Sequence, residues 1–211
     1  MRKMAIQFGL PEELLSLKNS LVIYGGSFNP PHNGHIIIAQ LVREMFRFAD
    51  FHVVTSSTPP HKKVDVSFKE RFFLTKKAFE KVEGITVSDI EHRLGGVSYA
   101  INTIEYYEKK YSHIFFLVGE DALYSIEKWY RYEDILKKAH MLVYPRFKDE
   151  LVYKKVERVL ESLSNSIYIL KLPLIQISST VVRERAIKGL SLYGFVPQHI
   201  ISYVEEIYGN R

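Results

Sequence analysis

Six short runs of β-branched and aromatic residues punctuate this chain of 211 residues, and stretches of helix length fill the gaps between them. The runs are Leu21 to Tyr24, Phe51 to Thr55, Ile85 to Ser88, Ile114 to Val118, His140 to Tyr144 and Ile167 to Leu170. Continuous apolar runs of this length are what strands buried on both faces look like. Strands that alternate with helices are joined by crossovers, and crossovers make a parallel sheet. The expected fold class is therefore α/β: a doubly wound parallel sheet with helices on both faces.

The helices carry their own signatures. Ile38, Leu41, Val42, Met45, Phe46 and Ala49 recur at helical spacing while Gln40, Arg43, Glu44 and Arg47 take the other face, so that stripe faces the core. A second helix begins near residue 68, where Ser67 and Glu70 have the spacing of a capping box and Phe68, Phe72, Thr75, Phe79 and Val82 share one face. The last starts at Pro197 and stops before Gly209. Residues 1–18 form an N-terminal extension whose "PEELLSLK" has the pattern of a short helix, and residues 19–211 read as a single domain without repeats or linkers.

Composition narrows the chemistry. At 46% hydrophobic and 25% charged residues the chain has ordinary globular proportions, and no apolar run approaches the ~18 residues of a membrane span. The first twenty residues lack the apolar core and small-residue cleavage site of a secretory signal, which makes the cytoplasm the expected compartment. There is no cysteine, so disulfides, thiolate nucleophiles and cysteine-bound zinc are all excluded. A net charge of +5 suits nucleic acid, a membrane surface or a polyphosphate. The basic residues, however, are scattered in pairs such as Lys76-Lys77 and Lys137-Lys138, a distribution typical of solvated helix faces.

The stretch between the first strand and the first helix is different. "YGGSFNPPHNGHIII", residues 24 to 38, combines flexible glycines, rigid prolines and two histidines three apart. In a doubly wound sheet this first strand-to-helix turn is the usual phosphate site. Gly25 and Gly26 can take positive φ and admit a ligand, Pro30 and Pro31 stiffen the loop, and Gly34 lets the chain enter the helix closely packed. His32 and His35 then fall where a helix start already favours an anion. The glycine spacing matches neither a Walker loop nor G-x-G-x-x-G.

A second anion signature comes late, in "IQISSTVVRER", residues 175 to 185. Ser178, Ser179 and Thr180 are good helix N-caps, so one of them has a sufficient reason to be there as a cap. Arg183 and Arg185 do not: cations in the first turns of a helix oppose its dipole by roughly 0.3 to 1 kcal/mol each unless an anion sits between them.

"GGSFNPPHNGH" resembles the G-G-[ST]-F-[DN]-P-x-H-x-G-H signature of the nucleotidyltransferases with a HIGH-type turn, and "ISSTVVRER" is similar to their I-S-[ST]-x-x-R-x-R motif. The resemblance implies a Rossmann-like fold whose C-terminal helices close the site. It also implies ATP contacts from Gly25, Gly26, Ser27, Phe28 and Gly34 and from Ser178, Ser179, Thr180 and Arg183, with His32 and His35 as the catalytic pair.

Four further segments resemble the nicotinate-nucleotide adenylyltransferases in particular. "TPPHKK" (58–63) is similar to their loop after the second strand and implies a contact from Lys62. "FFLVGEDAL" (115–123) implies Gly119 and Asp121 against the nucleotide. "KWYRYEDIL" (128–136) implies that Trp129, with Tyr130 beside it, stacks on a pyridine ring. "VSYAINTI" (97–104) resembles the segment whose backbone receives the nicotinate carboxylate, at Ser98, Tyr99 and Ala100, although Ala100 stands where threonine is usual; Ser27 is implied on the same ligand. "YPRF" (144–147) has Arg146 where an Arg-Pro pair is common.

The resemblance, which runs from about residue 21 to 208, implies transfer of AMP from ATP to nicotinate mononucleotide, with Mg²⁺ carried by the ATP and no protein metal ligand. The implied partners are those two nucleotides, with neither nucleic acid nor a membrane, and the oligomeric state is left open. Nicotinamide mononucleotide and phosphopantetheine are the alternative acceptors, and a nucleotide sensor or RNA-binding protein is the alternative outside enzymes.

Overall fold

The computed structural model describes residues 6–60, 63–146 and 167–209. Its elements in chain order are β1 (Ile6–Phe8), α1 (Glu12–Leu15), β2 (Ser20–Gly26), α2 (Asn33–Met45), β3 (Asp50–Thr55), α3 (Phe68–Phe79), β4 (Thr86–Ser88), α4 (Ile90–Leu94), α5 (Ala100–Tyr107), β5 (His113–Gly119), α6 (Glu120–Leu123), α7 (Tyr132–Lys138), β6 (His140–Tyr144), β7 (Ile167–Ile169), α8 (Ser179–Ile187) and α9 (Ile201–Tyr208). Short 3₁₀ turns span Ile126–Lys128 and Gln198–Ile200.

The seven strands form one parallel sheet in the order β1-β7-β6-β5-β2-β3-β4. Chain order steps outward from β2 through β3 to β4, and from β5 through β6 to β7, so it reverses between β2 and β5. That is the doubly wound, Rossmann-like arrangement read from the sequence, with the switch point at which such sheets bind ligands. Register places Leu21 beside Ile114 and Val22 beside Phe115, and these central positions are wholly buried or nearly so. Among the described residues no helix is long and apolar enough to cross a membrane.

The chain divides into two compact units, Met1–Gly25, Glu44–Phe51 and Tyr99–Leu174 in the first, and Gly26–Arg43, His52–Ser98 and Ile175–Arg211 in the second. In the first unit the short helix of the N-terminal extension is present as α1, and three residues before it pair with β7, Ile6 beside Ile167 and Phe8 beside Ile169, which adds an edge strand. Tyr111 donates to the Asp50 carboxylate there, and the Phe46 ring lies 4.7 Å from Phe115.

In the second unit α3 has the expected capping box, with Ser67 accepting from Glu70 N and Glu70 accepting from Ser67 N. Its buried face differs from the expected one. Arg71, Leu74, Thr75, Ala78 and Phe79 are buried, while Phe68 and Phe72 are only half-buried and stack in line with His92, the rings 5.4 and 4.3 Å apart. An arginine takes the inward position because its guanidinium meets backbone carbonyls there.

Candidate active site

Six residues carry the chain from β2 to α2. Gly25 and Gly26 continue the strand and neither has positive φ; the left-handed residue is Phe28, at φ 43°. The two glycines serve by being small: a Cβ on Gly25 would lie 3.3 Å from the Phe116 ring, and one on Gly26 would lie 3.1 Å from the Phe28 ring. Phe28 is buried, its ring edge-on to His35 at 5.0 Å and to Phe79 at 6.1 Å. The Asn29–Pro30 peptide is cis.

Side chains from distant parts of the second unit fasten this turn. Arg183 donates from Nη1 to the Asn29 carbonyl (2.6 Å), Tyr208 donates to Asn29 Oδ1 (2.7 Å), and Ser179 donates to the Pro30 carbonyl (2.8 Å). Asn33 donates through its backbone to Phe195 O and through its amide to Gly194 O. Asn29 and Tyr208 were not singled out from sequence, because only the folded chain brings them together.

The two histidines are stacked, with centroids 3.6 Å apart and planes 21° from parallel. His32 is 6% exposed and His35 half-buried. The backbone N–H of His32 donates to His35 Nδ1 at 3.2 Å. A neutral imidazole has one donor and one acceptor nitrogen, so this bond leaves the His35 proton on Nε2. A Cβ on Gly34 would sit 3.0 Å from His32 Nδ1, so glycine is what lets the ring lie flat against the helix start.

At α8 the three hydroxyls have different duties. Ser178 is the N-cap and accepts from Val181 N; Ser179 spends its proton on Pro30; Thr180 accepts from Arg183 Nη2 at 3.2 Å. Arg183 has five N–H donors and uses two in these bonds, which leaves three with no protein acceptor among the described residues. Arg185 has a structural duty instead, donating to Ser191 O and lying 4.4 Å over the Phe195 ring. It therefore needs no anion to account for its place.

The loop after β3 is held from both sides. Ser98 Oγ accepts from Ser57 N (2.8 Å) and Thr58 N (2.9 Å). Opposite, Arg71, 1% exposed, donates to the carbonyls of Ser56, Ser57, Ser27 and Val66 at 2.7 to 3.2 Å. Burial pushes its guanidinium below the usual range, against the neighbouring Tyr208 and Glu91, which favour the charge. Sequence reading passed over Arg71; an arginine at i+3 from Phe68 and i−4 from Thr75, inside an apolar stripe, was the available signal. Lys62 lies outside the described residues.

The first unit holds the other group of sequence-named residues. Gly119 ends β5, where a Cβ would collide with the Asp121 carboxylate and approach Tyr144. Arg146 lies 3.5 Å from Asp121, and its backbone N–H donates to the buried Glu120 at 2.6 Å. The Tyr24 and Tyr144 hydroxyls are 3.5 Å apart. Burial pushes both phenols up, Tyr24 well up, so both stay neutral. Trp129 is half-buried rather than a core residue, edge-on to Phe116 at 6.3 Å. Tyr130, 53% exposed, lies 4.5 Å from Tyr99, which immediately precedes Ala100 at the start of α5. Arg131, at φ 54°, donates to Asp134 and Glu105 and so ties this aromatic segment to α5.

The cytidylyltransferase-like family matches residues 23–185. A protein of Thermotoga maritima named probable nicotinate-nucleotide adenylyltransferase is 47% identical over 92% of this chain and 95% of its own. One of Fervidobacterium nodosum with the same name is 43% identical over 92% of each. Among solved structures, the Plasmodium falciparum nicotinic acid mononucleotide adenylyltransferase complexed with NaAD has a TM-score of 0.73 at 18% identity, covering 90% of this chain and 96% of that one. The chain therefore belongs to the nicotinate-nucleotide adenylyltransferases of the cytidylyltransferase-like family.

Proposed function

We propose that this protein transfers AMP from ATP to nicotinate mononucleotide, yielding nicotinate adenine dinucleotide and pyrophosphate. The observation that carries the chemistry is the stacked pair at the start of α2, where the bond from His32 N fixes the His35 proton on Nε2. The acceptor is supported by relatives that are 47% and 43% identical over nearly the whole chain.

In this reading a phosphate oxygen of the mononucleotide forms a bond to the α-phosphorus of ATP while the bond to the bridging oxygen breaks, and the electron pair leaves on pyrophosphate. A phosphate nucleophile is already ionised, so no general base is required. Catalysis is positioning and charge stabilisation. His35 Nε2–H donates to phosphate oxygen as charge grows there, with His32 stacked behind it, and Gly26, Ser27, Phe28 and Gly34 form the turn the phosphates lie against. Arg183 directs its remaining donors at the β- and γ-phosphates, and Ser178, Ser179 and Thr180 open α8 beside it.

Asp121 and Gly119 are assigned to the nucleotide, and Trp129, Tyr130, Tyr99, Ala100 and Ser98 to the pyridine end of the acceptor. Mg²⁺ would enter with the triphosphate, whose oxygens and water would supply its ligands, and no residue of this chain is assigned to it; bound there, it would neutralise phosphate charge. ATP as donor goes with a cytoplasmic setting.

Purified protein incubated with ATP, Mg²⁺ and nicotinate mononucleotide should release pyrophosphate and form the dinucleotide. A higher kcat/KM with nicotinamide mononucleotide or phosphopantetheine would overturn the acceptor. Retained ATP binding without pyrophosphate release from any of the three would overturn the enzyme reading.

A further inference from the structure

Arg71 is a buried cation whose four hydrogen bonds all end on backbone carbonyls, drawn from three separate segments. Two of those segments follow strands: Ser27 lies in the turn after β2, and Ser56 and Ser57 in the loop after β3. In a trans peptide the N–H points opposite to the C=O. The units 56–57 and 57–58 present their carbonyls to Arg71, and their N–H groups, those of Ser57 and Thr58, go the other way to Ser98 Oγ. Two consecutive peptides are thus gripped on both edges. The same guanidinium nitrogen that holds Ser56 O at 2.7 Å holds Ser27 O at 2.8 Å.

A rigid planar fork can span these acceptors at once, whereas the ammonium of lysine, a point charge on a flexible stem, cannot. We infer that Arg71 is a positioning residue that locks the loop after β3, and through it Ser98 of the acceptor group, in register with the histidine turn, so that the phosphate donor and the acceptor are presented to each other in a fixed geometry. This rests on the adenylyl-transfer reading above. Arg71 itself touches neither substrate. Its contribution is the reduced freedom of the histidine turn and of the loop tied to Ser98, and a misplacement of about 1 Å between reacting groups costs on the order of 100-fold in rate.

The test is Arg71→Lys, measured well below its melting temperature. Steady-state kinetics with both substrates should show kcat reduced about 10- to 100-fold while each KM moves by less than about 3-fold, since alignment rather than binding is lost. Amide hydrogen exchange should be faster at Ser57 and Thr58 although Ser98 is intact. Should Arg71→Lys not fold, Arg71→Gln, which keeps N–H donors without a buried charge, is read in the same way. Unchanged exchange at both amides overturns the coupling, whatever happens to the rate. Faster exchange with unchanged kcat overturns its role in positioning, as does a kcat loss that disappears on cooling along with a lowered melting temperature. If the wild-type protein releases no pyrophosphate, the reaction assignment fails, and the exchange measurement alone decides whether Arg71 couples the two loops.

Discussion

Replacing Gly34 with alanine separates packing at the histidine turn from stability of the fold. The new Cβ would lie 3.0 Å from His32 Nδ1, 3.1 Å from His32 Cε1 and 3.1 Å from Ile175 Cγ2. Comfortable contacts between such atoms begin near 3.5 Å, so the shortfall is about 0.4 to 0.5 Å on each side. The His32 ring absorbs it, but it is buried and stacked 3.6 Å from His35, so displacement passes from one imidazole to the other. If a 1 Å error costs about 100-fold in rate, half of that costs about 10-fold.

Stability should move little. Alanine in place of glycine in a helix contributes about 0.5 to 1 kcal/mol, and overpacking costs about 1 to 3 kcal/mol. The net loss is about 0 to 2.5 kcal/mol, or at most roughly 10 °C in Tm for a chain of this size. Pyrophosphate release at saturating substrates and thermal denaturation of the same preparation check the pair of values. A Gly34→Ala protein with wild-type kcat would refute the claim that His32 must lie where glycine lets it lie.

Other substitutions reach different parts of the structure. His35→Ala should lower kcat by about 100-fold or more, the usual loss when one preorganised donor to a transition-state oxygen is removed, while circular dichroism stays that of the native fold; near-normal turnover would remove His35 from the mechanism. Tyr208→Phe leaves Asn29 Oδ1 without its donor, at a cost of about 1 to 3 kcal/mol, and calorimetry should show Tm several degrees lower. His140 has its pKa lowered by burial and by the neighbouring His113. Its folded-state pKa therefore lies below its unfolded value, and the unfolded chain takes the proton first as pH falls. Stability should be flat above the unfolded value of about 6.5 and decline below it until the folded-state pKa is passed. Urea titrations of wild type and His140→Leu between pH 8 and 5 should differ in slope only in the lower range, and parallel curves would count against it.

How far the sequence carried differs from element to element. The strand His140–Tyr144 was read with its observed bounds, and the capping box at Ser67 and Glu70 is present, because both are set by residues next to one another. The edge strand Ile6–Phe8 was not seen, since three residues are too few to show a period; its stability comes from pairing with a segment some 160 positions away. On α3, counting large apolar residues placed Phe68 and Phe72 inward, where four carbonyl acceptors for one guanidinium decide the matter for Arg71.

The same division runs through the site. The histidine turn and the serine-arginine helix start were legible as local chemistry, and the structure adds the bonds between them, from Ser179 to Pro30 and from Arg183 to Asn29. Arg185 looked like a second anion ligand because the dipole argument considers only its own helix. Its partners, Ser191 and Phe195, lie beyond that helix.

The hydroxyl of Tyr208 and the amide of Asn29 are joined across 179 positions of sequence. Loosening α9 would therefore reach the histidine turn directly through this bond, although α9 carries none of the residues assigned to either substrate.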